Sequence, residues 1–142
     1  MNIRRLTLTR RQLAHLIAHA RAGAPNEVCG LILGRDAAHP HDATARGVYR
    51  TPNVAREPRV SYLVDASIQV RLFEFADKRG WELLGIYHSH PHGPETPSAT
   101  DLAQSYYPDA VYLIVSLAVE PPTARAFRIQ GGQVEEVSLN VT

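Results

Sequence analysis

Residues 81–101 read Trp81-Glu-Leu-Leu-Gly-Ile-Tyr-His-Ser-His-Pro-His-Gly-Pro-Glu-Thr-Pro-Ser-Ala-Thr-Asp101, an apolar run that ends on two histidines and turns through prolines into a helix-start signature. The run Trp81 to Tyr87 is rich in residues that favour a buried strand, and side chains on a strand alternate faces with period two. His88 and His90 therefore point the same way, and Ser89 points the other way. Ser98 stands before Ala-Thr-Asp, which makes it an N-cap with an acidic residue at the third helical position and brings Ser98 and Asp101 together. Pro91, Gly93, Pro94 and Pro97 make the intervening segment a stiff turn that swings the helix start back toward the imidazoles. Two neutral imidazoles and one carboxylate are a common catalytic zinc set, with one tetrahedral vertex left for a water whose pKa falls to about 7. His88, His90 and Asp101 are accordingly expected to hold one zinc ion per chain.

The spacing H-x-H-x7-S-x2-D arises by accident in roughly one chain in a thousand of this composition and length. Ser98 and Asp101 alone would fit an ordinary capped loop, but that reading leaves the two same-face histidines unexplained. Cys29 sits in the apolar run Val28 to Leu33 and is expected to be a packed thiol rather than a nucleophile or a fourth ligand. His15 and His19, four apart on a helix, lack a nearby third ligand and read as a surface or partly buried pair. Ser89 reads as packing or hydrogen bonding, and His92 as an exposed loop histidine. Glu27, about sixty residues upstream of His88, reads by itself as an ordinary exposed acid after a Pro-Asn turn.

The pattern resembles the JAMM metalloproteases, also called the JAB or MPN-plus family, whose signature is an upstream glutamate followed by H-[ST]-H-x7-S-x2-D. The upstream piece looks like Asn26-Glu-Val-Cys-Gly-Leu-Ile-Leu-Gly34, and the resemblance runs over nearly the whole chain. It implies that His88, His90 and Asp101 bind zinc, that Glu27 moves a proton from the attacking water to the leaving amine, and that Ser98 hydrogen-bonds the tetrahedral oxyanion. The fold it implies is α/β: a curved mixed β-sheet covered by two main helices, with a short helix after the metal motif, related to the cytidine deaminase architecture. The implied activity is hydrolysis of amide or isopeptide bonds after the C-terminal glycine of ubiquitin or a ubiquitin-like protein.

About ten residues separate Asp101 from the next expected strand, a compactness similar to the standalone prokaryotic branch. Within it, Glu27-Val-Cys-Gly30, Tyr87-His-Ser-His90 and Phe127-Arg-Ile-Gln-Gly-Gly-Gln-Val134 look like peptidases acting on sulfur-carrier proteins. The expected partner is therefore a ubiquitin-like or sulfur-carrier protein with a C-terminal Gly-Gly, its tail paired with an exposed strand edge beside the zinc. The reaction would release an amino acid such as cysteine or deconjugate a target. Two alternatives stand beside it: a zinc peptidase of other peptides, cell-wall or phage related, and a non-catalytic MPN scaffold. The scaffold branch usually lacks one or more ligands, whereas every signature position is filled here.

Composition bounds the rest. A chain of 142 residues with 44% hydrophobic content suits a single domain over 1–142 with a real core. A net charge of +1 gives no electrostatic argument for nucleic acid or an anionic membrane, and neither is an expected partner. Arg4, Arg5, Arg10 and Arg11 form a local basic patch without interleaved aromatics, which reads as a solvated face. One cysteine excludes an intrachain disulfide, and the start Met-Asn-Ile-Arg-Arg lacks the apolar segment of a signal peptide, so a reducing cytoplasm is expected. The oligomeric state is not encoded in any of these features.

Along the chain, Leu6 to Leu8 reads as a strand, and Thr9 opens a helix with Gln12 in capping-box position and Leu13, Leu16, Ile17 and Ala20 on one stripe. Gly23 and Pro25 stop it. Val28 to Leu33 reads as a buried strand, and the following dozen residues, with His39-Pro-His41-Asp42, as a loop. Val48 to Val54 and Val60 to Val64 read as strands split by Arg56-Glu-Pro58. Asp65 caps a second helix carrying Ile68, Leu72, Phe75 and Ala76, ending near Gly80. Val111 to Leu117 reads as a central strand, and Gly131-Gly132 as the turn of a hairpin between Ala124–Ile129 and Val134–Leu139.

Overall fold

The computed structural model describes residues 2–36 and 41–142. Strand β1 (Arg5–Leu8) leads into helix α1 (Arg10–Gly23), which starts where its capping box dictates: Gln12 N–H donates to Thr9 Oγ1 at 3.0 Å and Thr9 N–H donates to Gln12 Oε1 at 2.9 Å. Strands β2 (Cys29–Asp36) and β3 (Asp42–Thr51) follow, then α2 (Ala66–Lys78), whose N-cap Asp65 accepts from the N–H groups of Ser67 and Ile68. The motif strand is β4 (Glu82–His90), so both histidines lie on the strand itself, and the short helix α3 (Ala99–Ala103) begins at Ser98. Strands β5 (Val111–Ser116), β6 (Thr123–Gln130) and β7 (Gln133–Val141) complete the chain. Gly131 and Gly132, at φ +57° and +78°, make the two-residue hairpin turn in which both central residues need positive φ.

The sheet is mixed, as expected, but it closes on itself rather than remaining an open curve. Its order is β1-β3-β2-β4-β5-β6-β7, and β1 pairs in parallel with both β3 and β7. Closure also corrects the expectation of an exposed strand edge beside the metal motif. Strand β4 is bonded to β2 on one side and β5 on the other, and at its end Ser89 N–H donates to Val28 O while Leu117 N–H donates to His90 O.

Two stretches differ from the sequence-based expectation for nonlocal reasons. The loop expected after Leu33 is mostly strand: β2 runs on to Asp36 and β3 starts at Asp42, with Asp42 to Thr44 held by β1 and Ala43 and Ala45 buried. His39 lies outside the described residues. The strand expected over 60–64 is absent apart from a single bridge between Val64 and Asn53, and β3 ends at Thr51 rather than Val54. Residues 52–64 form instead a loop folded around Asn53, with Val60 and Leu63 exposed.

Both faces of the sheet are covered. Leu16 and Ala20 of α1 pack with Leu6, Leu8, Ile32, Leu84, Leu113 and Val115, while Ala76 of α2 packs with Leu31, Leu33, Ile86 and Tyr112. Burial on both sides explains why every residue of β5 is apolar or small and buried. Among the described residues, no helix is long and apolar enough to cross a membrane.

Candidate metal centre

The centre forms at one end of β4. Antiparallel pairing puts Cys29 of β2 opposite His88, and Val28 and Ser89 are joined twice, by Ser89 N–H to Val28 O at 3.0 Å and Val28 N–H to Ser89 Oγ at 2.9 Å. One step further along this register stands Glu27, beside His90 and on the same face, because directly opposed residues share a face. That pairing is how a residue so distant in sequence reaches the site. The parallel crossover from β4 to β5 carries α3 over the same strand end. The capping box then fixes Asp101: its N–H donates to Ser98 Oγ at 3.1 Å, and its Oδ2 accepts from Ser98 N–H at 2.9 Å.

His88 Nε2 and His90 Nε2 lie 3.1 Å apart, and Asp101 Oδ2 lies 3.1 Å from the first and 3.0 Å from the second. Three donors on a tetrahedral ion at ordinary zinc bond lengths stand about 3.3 Å apart, so this triangle is a slightly contracted version of that face. One ligand atom from each of Glu27, His88, His90 and Asp101 falls within a 4.8 Å cluster. All four residues are buried.

The protons agree with a cation. His90 Nδ1 is 2.6 Å from the carbonyl oxygen of Pro94, which can only accept, so Nδ1 carries the hydrogen and the lone pair of the neutral ring sits on Nε2, facing the cluster. Glu27 Oε1 is buried with no hydrogen-bond partner, as is His88 Nδ1. Buried polar atoms are rarely left so, and an unpaired carboxylate oxygen aimed into a His-His-Asp cluster fits a metal or its ligand. Burial depresses the His88 pKa. On His90 burial acts the same way, but the hydrogen bonds to Asp101 and the Pro94 carbonyl outweigh it and raise the pKa. Burial opposes charge on Asp101 too, yet its bonds to His88, His90 and Ser98 hold the carboxyl well below the usual range. Burial pushes Glu27 up to about 7, against the pull of His90. The cluster therefore stabilises a positive charge at its middle and keeps one carboxyl, Glu27, able to hold a proton near neutrality.

His88, His90, Asp101, Ser98 and Glu27 are thus brought to one place. Ser98 is exposed, and its hydroxyl accepts from Asp101 N–H, leaving its own hydrogen to donate elsewhere. Cys29 is packed beneath, 3.4 Å from Thr51 Oγ1, with burial pushing its thiol up to about 11. His15 is exposed, His19 bonds Tyr87, and His92 is exposed; none of the three belongs to the four-residue cluster. The residue missed from sequence is Tyr62, whose ring stacks on His88 at 4.3 Å and 23°. Burial, followed by the proximity of Tyr112 and the acidic groups, raises its pKa well above the ordinary value. Its stretch reads as a strand, which hid it. Pro52-Asn53, a turn pair, signals the end of the neighbouring strand near Thr51, but no local signal marks Tyr62 itself.

A cavity of about 920 Å³ opens beside the centre, lined by Tyr62, Leu63, Gln69, Ile86, Tyr107 and Tyr112 among others. Tyr62 lines the cavity with its ring stacked on His88, so one side chain separates the cavity from the four-residue cluster.

Comparison with known proteins finds relatives over nearly the whole chain. Residues 9–130 match the family described as prokaryotic homologs of the JAB domain. The chain is 38% identical over 147 residues to a desampylase of Haloferax volcanii, covering 99% of each. It is 33% identical over 128 residues to a CysO-cysteine peptidase of Mycobacterium tuberculosis, covering 89% of this chain and 84% of that one. A solution structure of a protein from Desulfitobacterium hafniense superposes with a TM-score of 0.87 at 36% identity, over 96% of this chain and 92% of that chain.

Proposed function

The chain belongs to the family of prokaryotic JAB-domain homologs, and from that premise we propose that it is a zinc-dependent peptidase or isopeptidase acting as one catalytic domain. The bond it hydrolyses follows the C-terminal Gly-Gly of a ubiquitin-like or sulfur-carrier protein, releasing an amino acid such as cysteine or freeing a conjugated target. Names of the relatives, a desampylase and a CysO-cysteine peptidase, support that class of substrate. The single observation that carries the reading is the triangle of His88 Nε2, His90 Nε2 and Asp101 Oδ2, with edges of 3.0–3.1 Å, beside the unpartnered Glu27 Oε1.

His88, His90 and Asp101 would hold the zinc, which when bound supplies a Lewis acid and a water acidified to about pKa 7. Glu27, whose buried Oε1 has no hydrogen-bond partner, accepts a proton there and returns it to the departing amine. Ser98, whose hydroxyl hydrogen is not engaged by Asp101, donates to the oxygen that becomes negative as the carbonyl is attacked. The cavity beside Tyr62 offers room for the carrier's extended end. With its thiol packed away, the chain suits a reducing cytoplasm.

The test is direct. Protein stripped by a chelator and reloaded with zinc is offered carriers ending in Gly-Gly and extended by one residue, and the products are weighed by mass spectrometry. Release of the added residue should depend on zinc and cease in the stripped protein. Carriers of unchanged mass under every such offer would rule out carrier processing, and failure to bind zinc would rule out the enzyme.

A further inference from the structure

Asn53 uses its whole hydrogen-bonding capacity on backbone from separate places. Its Nδ2 donates to Glu27 O at 2.8 Å and to Ser61 O at 3.1 Å, and its Oδ1 accepts from the N–H groups of Ala55 and Leu63, each at 3.0 Å. The loop it organises holds Glu27 at a second point, since Glu27 N–H donates to Pro58 O at 2.7 Å. Glu27 precedes β2 and receives no ladder bond there, so these two loop contacts fix the backbone from which its carboxylate enters the centre. Ser61 and Leu63, both tied to Asn53, flank Tyr62, the ring stacked on His88.

We infer that Asn53 is a positioning residue for the proposed reaction: one amide sets both the Glu27 carboxylate and the Tyr62 ring against the metal-binding histidines. The inference rests on the proposed function for its catalytic consequence, and on the loop geometry alone for the placement of Tyr62. A side chain that only closed the loop would have no reason to reach Glu27. Removing it leaves His88, His90 and Asp101 in place, because these are held by β4 and α3. The base is then loosened while the metal stays, and a misplacement of about 1 Å is worth about a hundredfold in rate.

The experiment compares wild type, Asn53→Ala and, as a control for lost stability, Thr9→Ala, which removes the α1 cap far from the centre. Four quantities are read on the zinc-loaded proteins: zinc content, kcat and KM on a carrier extended beyond Gly-Gly, and the NMR shifts of the His88 ring hydrogens, which the stacked Tyr62 displaces. Asn53→Ala should keep its zinc, lose ten- to a hundredfold in kcat with KM within about threefold, and move the His88 resonances toward those of an unstacked ring. Thr9→Ala should lower Tm and leave both kcat and the His88 shifts as in wild type. Wild-type kcat and unmoved resonances in Asn53→Ala, below its melting range, would overturn the inference. Should Asn53→Ala not fold, Asn53→Asp retains the bonds from Ala55 and Leu63 and loses those to Glu27 and Ser61, and the same readings decide. Absence of turnover in wild type would instead defeat the proposed function, and the His88 shifts would still judge the placement of Tyr62.

Discussion

Glu27 presents a buried oxygen that has no hydrogen-bond partner, and among the described residues this separates it from the other acids. If it handles protons rather than holding the metal, Glu27→Gln keeps the shape and the zinc while lowering turnover by about 10²–10⁴. Zinc content and kcat measured on the same preparation check this, and loss of zinc would move Glu27 into the ligand set. Ser98 admits a similar separation. Its cap on α3 is worth about 1 kcal/mol, which Ser98→Ala should show as a lower Tm, whereas loss of an oxyanion donor should appear as about 10²–10³ in kcat. A variant that melts earlier but turns over normally would leave Ser98 only its cap. At this scale the sequence was most legible where the chemistry is local: two histidines on one strand face, and a serine and aspartate joined by a capping box, are fixed by spacing alone. Glu27 could be singled out only through the family signature, because its place depends on the register between β2 and β4, which no local pattern encodes. Tyr62 and Asn53 depend on a loop that folds back across three segments, and they left no periodic trace.

Strand β2 shows how a whole element is shaped by its neighbours. Gly30 lies directly opposite Tyr87, and a Cβ built there would stand 2.2 Å from Tyr87 Cε2 and 2.3 Å from the carbonyl oxygen of Tyr49. The second contact is with backbone of β3, which cannot swing aside. Gly30→Ala should therefore destabilise the protein by about 1–3 kcal/mol or more, read as a fall in the denaturant midpoint, and should displace the Tyr87 ring. An unchanged midpoint would mean that β2 and β3 part more easily than their pairing suggests. The elements readable from sequence were those with their own terminators: α1 and α2 with their caps, β4 before its prolines, and the hairpin whose two glycines need positive φ. The ones misread owe their state to distant partners. Asp42 to Thr44 are strand because β1 lies beside them, and residues 60–64 are not, because Asn53 takes the N–H of Leu63 and the carbonyl of Ser61.

Across the whole molecule, α1 is tied to the motif strand by His19, whose Nδ1 lies 2.7 Å from the hydroxyl of Tyr87. Either group can donate in this bond, and it is the surroundings that keep the imidazole neutral. Burial, reinforced by Arg50 of β3 and His15 of the same helix, lowers the His19 pKa from 6.5 to about 4. Tyr87, the facing group on β4, is itself pushed by burial beyond the range in which it would ionise. The sign follows from comparing the two states. An unfolded chain binds this proton near pH 6.5, whereas the folded chain refuses it until about pH 4, so between these values acid favours unfolding. The stability contributed by neutral His19 is present above pH 6.5 and is lost as pH falls toward 4. Glu27 opposes this trend, because a carboxyl raised to about 7 favours the folded state at low pH. The two are separated by substitution rather than by the bare pH curve. In protein stripped of metal, His19→Gln should flatten the decline of Tm between pH 6.5 and 4 relative to wild type, while the two proteins keep the same trend above pH 7. Parallel curves across the whole interval would show that burial does not hold His19 neutral in the folded chain.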